Sequence, residues 1–289
     1  MPTAQVNGVL THYEVQGEGT PVLFIHGGFG GAASTLMPAE RQITGILPTD
    51  RVRLITYDRR CSGQSQYIID QYDLEDLADD AHALMEHLGI ERAIVAGDSM
   101  GGMVAQQYAL SYPEGVIALA LLETGVNLIG DTVWGRQMQA EVEWAEREGD
   151  ATVFAARRDG LRNPPAPPAT EEFPQELAER VRSEQAAYAD AVAQISDEAL
   201  LTFFSGALRN QAAFIGYDFE DDFPEFAMPV CVIHGNADRV VPLELGEELH
   251  NGIPHSEFHE IEGATHDVLA FPAAAEALRG WILRMATAG

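Results

Sequence analysis

Residues 93–105 read AIVAGDSMGGMVA, and this stretch decides the fold. A short apolar run passes into Gly97-Asp98-Ser99-Met100-Gly101, and a predicted helix begins directly afterwards. The pattern G-x-S-x-G between a strand and a helix places a serine on a sharp, strained turn, whose glycines leave room for the neighbouring elements. The hydroxyl then stands above the sheet, where the N-terminal dipole of the helix faces a developing negative charge. Ser99 is therefore the candidate nucleophile.

Further apolar runs along the chain predict a sheet around this strand. Each run is short, partly β-branched and closed by glycine or a polar residue, which is typical of strands buried on both faces of a parallel sheet. The runs are residues 21–25, 52–57, 116–122 and 230–233, with a last strand at 258–261. Asn7-Gly8 between alternating segments predicts a tight hairpin. Apolar residues recur at helical spacing over residues 73–88, so strand–helix alternation predicts the α/β class.

The strand signal stops between Gly125 and about Asp218. Helices are predicted there over residues 134–147, 176–193 and 197–213, with a stiff proline-rich break at 163–168. A block of helices between two sheet strands is typical of an inserted cap. We therefore expect a core formed by residues 1–125 and 219–289 and a helical cap formed by residues 126–218. The alternative is that these helices only extend the flank of the sheet.

Several motifs occur in an order that resembles the α/β-hydrolase superfamily. Residues 26–30 read HGGFG, residues 58–65 read DRRCSGQS, and the serine turn follows them. Residues 230–242 read VCVIHGNADRVVP, and residues 263–266 read GATH. The resemblance covers roughly residues 5–125 and 219–284. It implies a mostly parallel sheet flanked by helices with an inserted helical cap. Cys61 stands where the family usually has a glycine.

The resemblance also implies roles for individual residues. Asp238, just past a strand's C-terminal end, matches the family's acid, and His266 matches its base. The backbone N–H groups of Met100 and of Gly28, with Phe29 as the alternative, match the oxyanion hole. Glu123 is a rival for the acid because some members place it after that strand. Pocket candidates are Trp134, Met138 and Phe204, with Phe154, Phe203 and Phe214 as further aromatic side chains of the expected cap.

The substrate class is less tightly indicated. The serine turn and Arg59-Arg60 look closer to small esterases, lactonases and cofactor-free perhydrolases, so hydrolysis of a carboxylic ester or lactone is expected. The H-G-G-x-G loop is similar to that of proline iminopeptidases, whose acidic lid residues bind a peptide's free amine. Glu141, Glu143, Glu146 and Glu148 could do that, but a solvated helix face is the simpler interpretation. A receptor-like binding module with slow hydrolysis is the non-enzymatic alternative.

Composition restricts the remaining possibilities. The formal net charge of −28 disfavours nucleic acid and anionic membrane surfaces as partners. All 17 basic residues are arginine, which excludes lysine Schiff bases and phosphate-loop lysines. Cys61 and Cys231 do not form a disulfide framework, and no CxxC pair suggests zinc. We expect a cytoplasmic protein that needs no metal or organic cofactor and whose partner is a small-molecule ester or lactone. The sequence leaves the oligomeric state open.

Overall fold

The computed structural model of the chain describes residues 2–31, 43–163 and 175–288. These residues contain one sheet of eight strands in the order β1-β2-β4-β3-β5-β6-β7-β8. The strands are β1 (Thr3–Val6), β2 (Val9–Gln16), β3 (Thr20–Ile25), β4 (Val52–Tyr57), β5 (Ala93–Asp98), β6 (Val116–Leu122), β7 (Val230–Gly235) and β8 (Ser256–Ile261). The β1–β2 and β2–β4 pairs are antiparallel, and every pair from β4 to β8 is parallel. The predicted α/β class with a mostly parallel sheet is confirmed.

The sheet is buried on both faces, as its continuous apolar strands predict. Along β3, Leu23 and Ile25 belong to one apolar cluster, whereas Val22 and Phe24 belong to another, and all four are fully buried. Alternate residues of a strand point to opposite faces, so the two clusters are the two sides of the sheet. The Asn7-Gly8 hairpin also forms, with positive φ angles of 42° and 79° at its two turn residues.

Helices cover both faces of the sheet. Within the described residues they are α1 (Leu74–His87), α2 (Met100–Ser111), α3 (Leu128–Asp131), α4 (Val133–Glu148), α5 (Asp150–Arg162), α6 (Gln175–Gln194), α7 (Asp197–Ala212), α8 (Leu243–Gly252) and α9 (Pro272–Ala288). The start of α1 is fixed by a reciprocal capping box, in which the side chains of Asp73 and Asp76 each accept the other's backbone N–H. No helix in these ranges is long and apolar enough to cross a bilayer.

Helices α3 to α7, which we call the helical insertion (residues 128–212), separate β6 from β7. Its described residues contain no strand, as the sequence predicts. The predicted helices correspond to α4, α6 and α7 within one residue at each end, but α5 was not anticipated. Most of the proline-rich break, residues 164–168, lies outside the described residues. The insertion has its own apolar cluster, which includes Val153, Phe154, Leu200 and Phe204.

The carboxyl ends of the parallel strands meet at one edge of the sheet. His26 follows β3, Ser99 follows β5, Glu123 follows β6, Asp238 follows β7 and His266 follows β8. Residues that are up to 240 positions apart in the chain, as His26 and His266 are, are therefore assembled by topology alone.

Candidate active site

The turn at Ser99 has the strained backbone that its sequence pattern predicts. Ser99 has φ 51° and ψ −119°, a conformation that non-glycine residues rarely adopt. Its N–H donates to the carbonyl of Leu122 on β6, at 2.9 Å, and its carbonyl accepts from Thr124 Oγ1, at 2.7 Å. A Cβ at Gly97 would lie 2.3 Å from a backbone oxygen, and one at Gly101 would lie 2.1 Å from another. The flanking glycines are therefore required by packing.

Three side chains from different loops form a continuous hydrogen-bonded chain. His266 Nε2 lies 3.0 Å from Ser99 Oγ, and His266 Nδ1 lies 2.8 Å from Asp238 Oδ2. Because a carboxylate only accepts, Nδ1–H donates to Asp238, and the unprotonated Nε2 accepts the serine proton. The geometry brings together the three residues that the sequence singles out as nucleophile, acid and base.

The loop after β7 holds the Asp238 carboxylate in place. Its Oδ1 accepts the backbone N–H groups of Val240 and Val241, at 2.8 and 2.9 Å, which leaves Oδ2 for His266. The buried His234 side chain donates Nε2–H to the carbonyl of Val241, at 2.9 Å, and so closes the same loop. A carboxylate held by two amides and an imidazole keeps one orientation.

Electrostatics shift the pKa values of His266 and His26 in opposite directions. Burial alone would lower the pKa of His266, but its hydrogen bond to Asp238 and the nearby acidic charges outweigh burial and raise it. Burial and the neighbouring Arg59 charge lower the pKa of His26 to about 3. His26 donates Nδ1–H to Gly27 O at 2.7 Å and accepts the Arg59 N–H at Nε2. Its contacts are those of a structural residue.

Two further carboxyl groups, Asp98 and Glu123, lie behind this chain. Glu123 Oε2 accepts the Val268 N–H at 2.7 Å, which ties the loop carrying His266 to the end of β6. Asp98 and Glu123 share a side-chain hydrogen bond. Burial, and for Glu123 also the charge of Asp98, raises the pKa of both carboxyl groups. The pair therefore keeps a proton up to a higher pH than an isolated carboxylate does.

The loop after β3 packs directly against the serine turn. A Cβ at Gly27 would lie 3.0 Å from the Ser99 Cβ and 2.9 Å from Asp98 atoms. The next residue, Gly28, has a φ of 75°. Among the described residues, no acceptor is found for the backbone N–H groups of Gly28, Phe29 or Met100. Donors left without a partner beside a serine can bind a negatively charged oxygen.

The pocket candidates separate into two groups. Trp134 and Met138 are half-buried on α4. Trp134 donates Nε1–H to the Val240 carbonyl at 2.6 Å and packs edge-on against Phe29, with ring centroids 5.5 Å apart. Phe204 is buried in the apolar cluster of the insertion, with its ring centroid 5.8 Å from that of Phe154. Of the other aromatic candidates, Phe203 packs on Tyr67, and Phe214 is fully buried in the core.

Glu123, Asp238 and His266 also offer metal-ligating atoms that lie within 4.8 Å of one another. A metal ion would have to displace hydrogen bonds that already hold these groups, namely those of Glu123 to Val268 N–H and of Asp238 to His266. These three side chains are therefore better explained by their hydrogen bonds to one another and to the backbone than by metal binding.

The pKa of His266 should depend on Asp238. In Asp238→Asn, burial remains while the charge is lost, so the pKa of His266 should fall by about 1–3 units. NMR titration of the imidazole resonances measures this shift, and His26 should stay neutral above about pH 4 in both proteins because its pKa is about 3. An unchanged His266 titration would show that Asp238 does not set its charge.

Comparisons with known proteins agree with this architecture. The chain is 26% identical to the non-heme chloroperoxidase CPO-A1 of Kitasatospora aureofaciens, covering 92% of each chain. Its fold resembles the enol-lactonase of Burkholderia xenovorans LB400, with TM-score 0.71, 23% identity and coverage of 99% of this chain and 100% of the other. It also resembles a thermophilic esterase of Thermogutta terrifontis, with TM-score 0.70, 24% identity and 99% coverage of each. Residues 20–273 match the family described as alpha/beta hydrolase fold, and the chain belongs to that family.

Proposed function

We propose that this chain is a serine hydrolase that cleaves carboxylic esters or lactones through an acyl-enzyme intermediate. The observation that carries the proposal is the chain from Ser99 Oγ through His266 to Asp238, with distances of 3.0 and 2.8 Å. An unassisted serine hydroxyl is a weak nucleophile, and an adjacent oriented base is what activates it.

Each group has a defined step in the reaction. His266 Nε2 takes the proton of Ser99 Oγ while the oxygen attacks the carbonyl carbon, and Asp238 stabilises the imidazolium that forms. Collapse of the tetrahedral intermediate expels the alkoxide, which takes the proton from His266. A water molecule then attacks the acyl-enzyme with His266 again as base, and the acid and free Ser99 are released. In a lactone the alcohol and acid remain one molecule.

The negatively charged oxygen of the intermediate is bound by backbone donors. Met100 N–H, at the start of α2, supplies one, and the loop after β3 supplies the other from Phe29 or Gly28. Each such donor is typically worth about 3 kcal/mol of transition-state stabilisation. The positive end of the α2 dipole acts in the same direction.

The helical insertion is proposed as a cap over this site, and the chain outside residues 126–218 as the core. Trp134 contacts both the loop of Asp238, through Val240, and the loop of Phe29. Asn210 on α7 donates to the carbonyl of Arg60, at 3.1 Å. These contacts support Trp134 as a residue that lines the space for the acyl or alcohol part of a substrate, and Met138, half-buried one turn along the same helix, is proposed with it. Phe204 packs inside the insertion.

Ester or lactone chemistry is favoured over aminopeptidase chemistry by the surroundings of α4. Glu143, Glu146 and Glu148 are exposed, and Glu141 pairs with Arg157 at 2.6 Å. These acidic groups form a solvated helix face and not a pocket for an amine. The relatives include an enol-lactonase, an esterase and a non-heme chloroperoxidase. Hydrogen peroxide that replaced water as acyl acceptor would give a peracid, so peroxide belongs in the assay panel.

Ser99→Ala tests the proposal directly. The wild-type protein should hydrolyse p-nitrophenyl acetate or butyrate and should be labelled by a fluorophosphonate at Ser99 alone. Ser99→Ala should lose labelling and nearly all turnover, because only the residual stabilisation by backbone donors remains. Mass spectrometry of the labelled peptide and stopped-time ester assays measure both.

One control variant and two possible outcomes make this result specific. Ser62→Ala changes a buried serine outside the proposed chain and should keep labelling and turnover. Labelling of a wild-type protein without turnover would favour the receptor-like alternative. Full labelling and turnover in Ser99→Ala would refute the assignment.

The two candidate acids can be ranked by matched substitutions. Asp238→Asn should lower kcat by about 10⁴-fold, because the wrong imidazole tautomer is then favoured. Glu123→Gln should keep at least about a tenth of the activity, a far smaller loss than the tautomer effect, because the amide has nearly the same shape and its oxygen can still accept the Val268 N–H. Esterase assays on variants with native circular dichroism decide between them. The opposite ranking would transfer the role of acid to Glu123.

The pocket proposal separates Trp134 from Phe204. Trp134→Ala should change the preference among acyl chain lengths more than it changes the melting temperature. Phe204→Ala removes a buried side chain and should cost about 3–5 kcal/mol of stability with little change in preference. Rates on a C2–C10 ester panel, with melting curves, measure both. Equal loss on all substrates in Trp134→Ala would place its side chain in the core instead.

A further inference from the structure

Arg59 is a buried cation without an acidic partner in the described part of the chain. Its side chain is 1% exposed, and no carboxylate among residues 2–31, 43–163 and 175–288 forms an ion pair with it. Its Nε and Nη1 atoms have no hydrogen-bond partner in those ranges. Burial lowers the pKa of the guanidinium, yet a group that titrates so far above neutrality stays charged. A full positive charge therefore lies inside the core.

The neighbouring arginine is arranged differently. Arg60 forms a two-bond ion pair with the buried Asp80, with Nε–Oδ2 at 2.6 Å, and its guanidinium lies over the Tyr72 ring at 4.9 Å. The charge of Arg60 is thus neutralised locally, whereas no carboxylate of the described ranges neutralises that of Arg59. The field of an unneutralised charge extends to whatever polar groups it contacts.

Arg59 contacts the loop that holds the proposed oxyanion donors. Its Nη2 donates to the Gly28 carbonyl at 2.5 Å and approaches the Gly27 carbonyl at 3.4 Å. Its backbone N–H donates to His26 Nε2 at 3.2 Å, and His26 in turn holds Gly27 O. The Phe214 ring lies 5.7 Å from its Cζ on another side. Both loop carbonyls therefore point at one buried cation.

The geometry of a peptide unit connects this contact to the reaction. The carbonyl of Gly28 and the N–H of Phe29 belong to one planar trans peptide, so they point in opposite directions. A cation on the carbonyl oxygen orients the N–H away from itself and draws electron density from the nitrogen, which makes the N–H a stronger donor. Hydrogen bonds in a connected series polarise one another in this way.

We propose that Arg59 is a positioning residue that aims and polarises the Gly28–Phe29 peptide, so that Phe29 N–H is the second oxyanion donor. The proposal rests on the proposed function, and it selects Phe29 over Gly28. The N–H that Arg59 polarises binds a negatively charged oxygen more strongly than it binds the neutral carbonyl oxygen of the ester. It therefore stabilises the tetrahedral intermediate more than the bound ester.

The test compares a charged adduct with a neutral ligand of the same shape. An alkyl trifluoromethyl ketone adds to the serine hydroxyl to give a hemiketal oxyanion, and its reduced alcohol binds without adding. In Arg59→Met, the Ki of the ketone should rise about ten- to a hundred-fold, and that of the alcohol should change less than two-fold. kcat for an ester should fall in parallel, with KM within about three-fold. Arg59→Lys, which keeps the charge, should stay within about five-fold of wild type.

Control variants exclude a merely structural role. Arg60→Met leaves Asp80 buried without its counter-ion, so it should lower the melting temperature while preserving the ratio of the two Ki values. If Arg59→Met does not fold, Arg59→Gln removes the charge and retains a donor, and the same rise is expected. If neither neutral variant folds, Arg59→Lys decides, because a ten-fold or larger loss of ketone selectivity there contradicts the proposal.

The outcomes distinguish this inference from the function on which it rests. A wild-type protein without ester turnover or fluorophosphonate labelling would overturn the proposed function. An active wild-type protein whose folded neutral Arg59 variants bind the ketone within two-fold of wild type would overturn the role of Arg59 alone. Equal losses for ketone and alcohol would likewise show that Arg59 only shapes the pocket.

Discussion

The backbone at Ser99 is the constraint on which the rest of the site depends. Ser99, a non-glycine residue at φ 51°, is held in this conformation by its surroundings. Its N–H donates a hydrogen bond to Leu122 on β6, its carbonyl accepts one from Thr124, and Gly97 and Gly101 pack closely around it. Gly27 must also lack a side chain, because the loop after β3 touches the same turn. The close packing around this one strained turn thus requires glycine at three positions, on β5, on α2 and on the loop after β3. Those segments are the ones that carry the proposed nucleophile and oxyanion donors.

Acidic groups lie on one side of this turn and a buried arginine lies on the other. Asp238 faces the imidazole of His266, and the Asp98–Glu123 pair, whose burial raises both pKa values, lies behind it. On the side of the β3 loop, Arg59 supplies a positive charge that no carboxylate in the described ranges neutralises. For a chain with a formal net charge of −28, a buried cation beside the proposed oxyanion site is a local reversal of the overall field. Net charge alone is therefore a poor guide to the site.

Much of the fold could be predicted because its signals are local. The serine turn, the buried strands and the Asn7-Gly8 hairpin each depend on a few adjacent residues, and each occurs as predicted. Asp238 and His266 were identified by family resemblance, and the geometry brings them together with Ser99. Glu123 was considered as a rival acid, but its contacts with Asp98 and Val268, like those of Arg59 with the loop after β3, cross the sheet edge, and no spacing in the sequence reveals them. Helix α5 was missed because only Val153 and Phe154 of its 13 residues are buried, so its apolar periodicity is weak.

The contacts of Trp134 connect the helical insertion to both sides of the site at once. Its indole donates to the loop that holds Asp238 and packs against Phe29 on the loop after β3. Any movement of α4 away from the sheet must break this hydrogen bond and expose the Phe29 ring. Movement of α4 is therefore mechanically coupled to the two loops that carry Asp238 and Phe29. Opening for exchange with solvent and loosening of the reaction geometry would occur in the same motion.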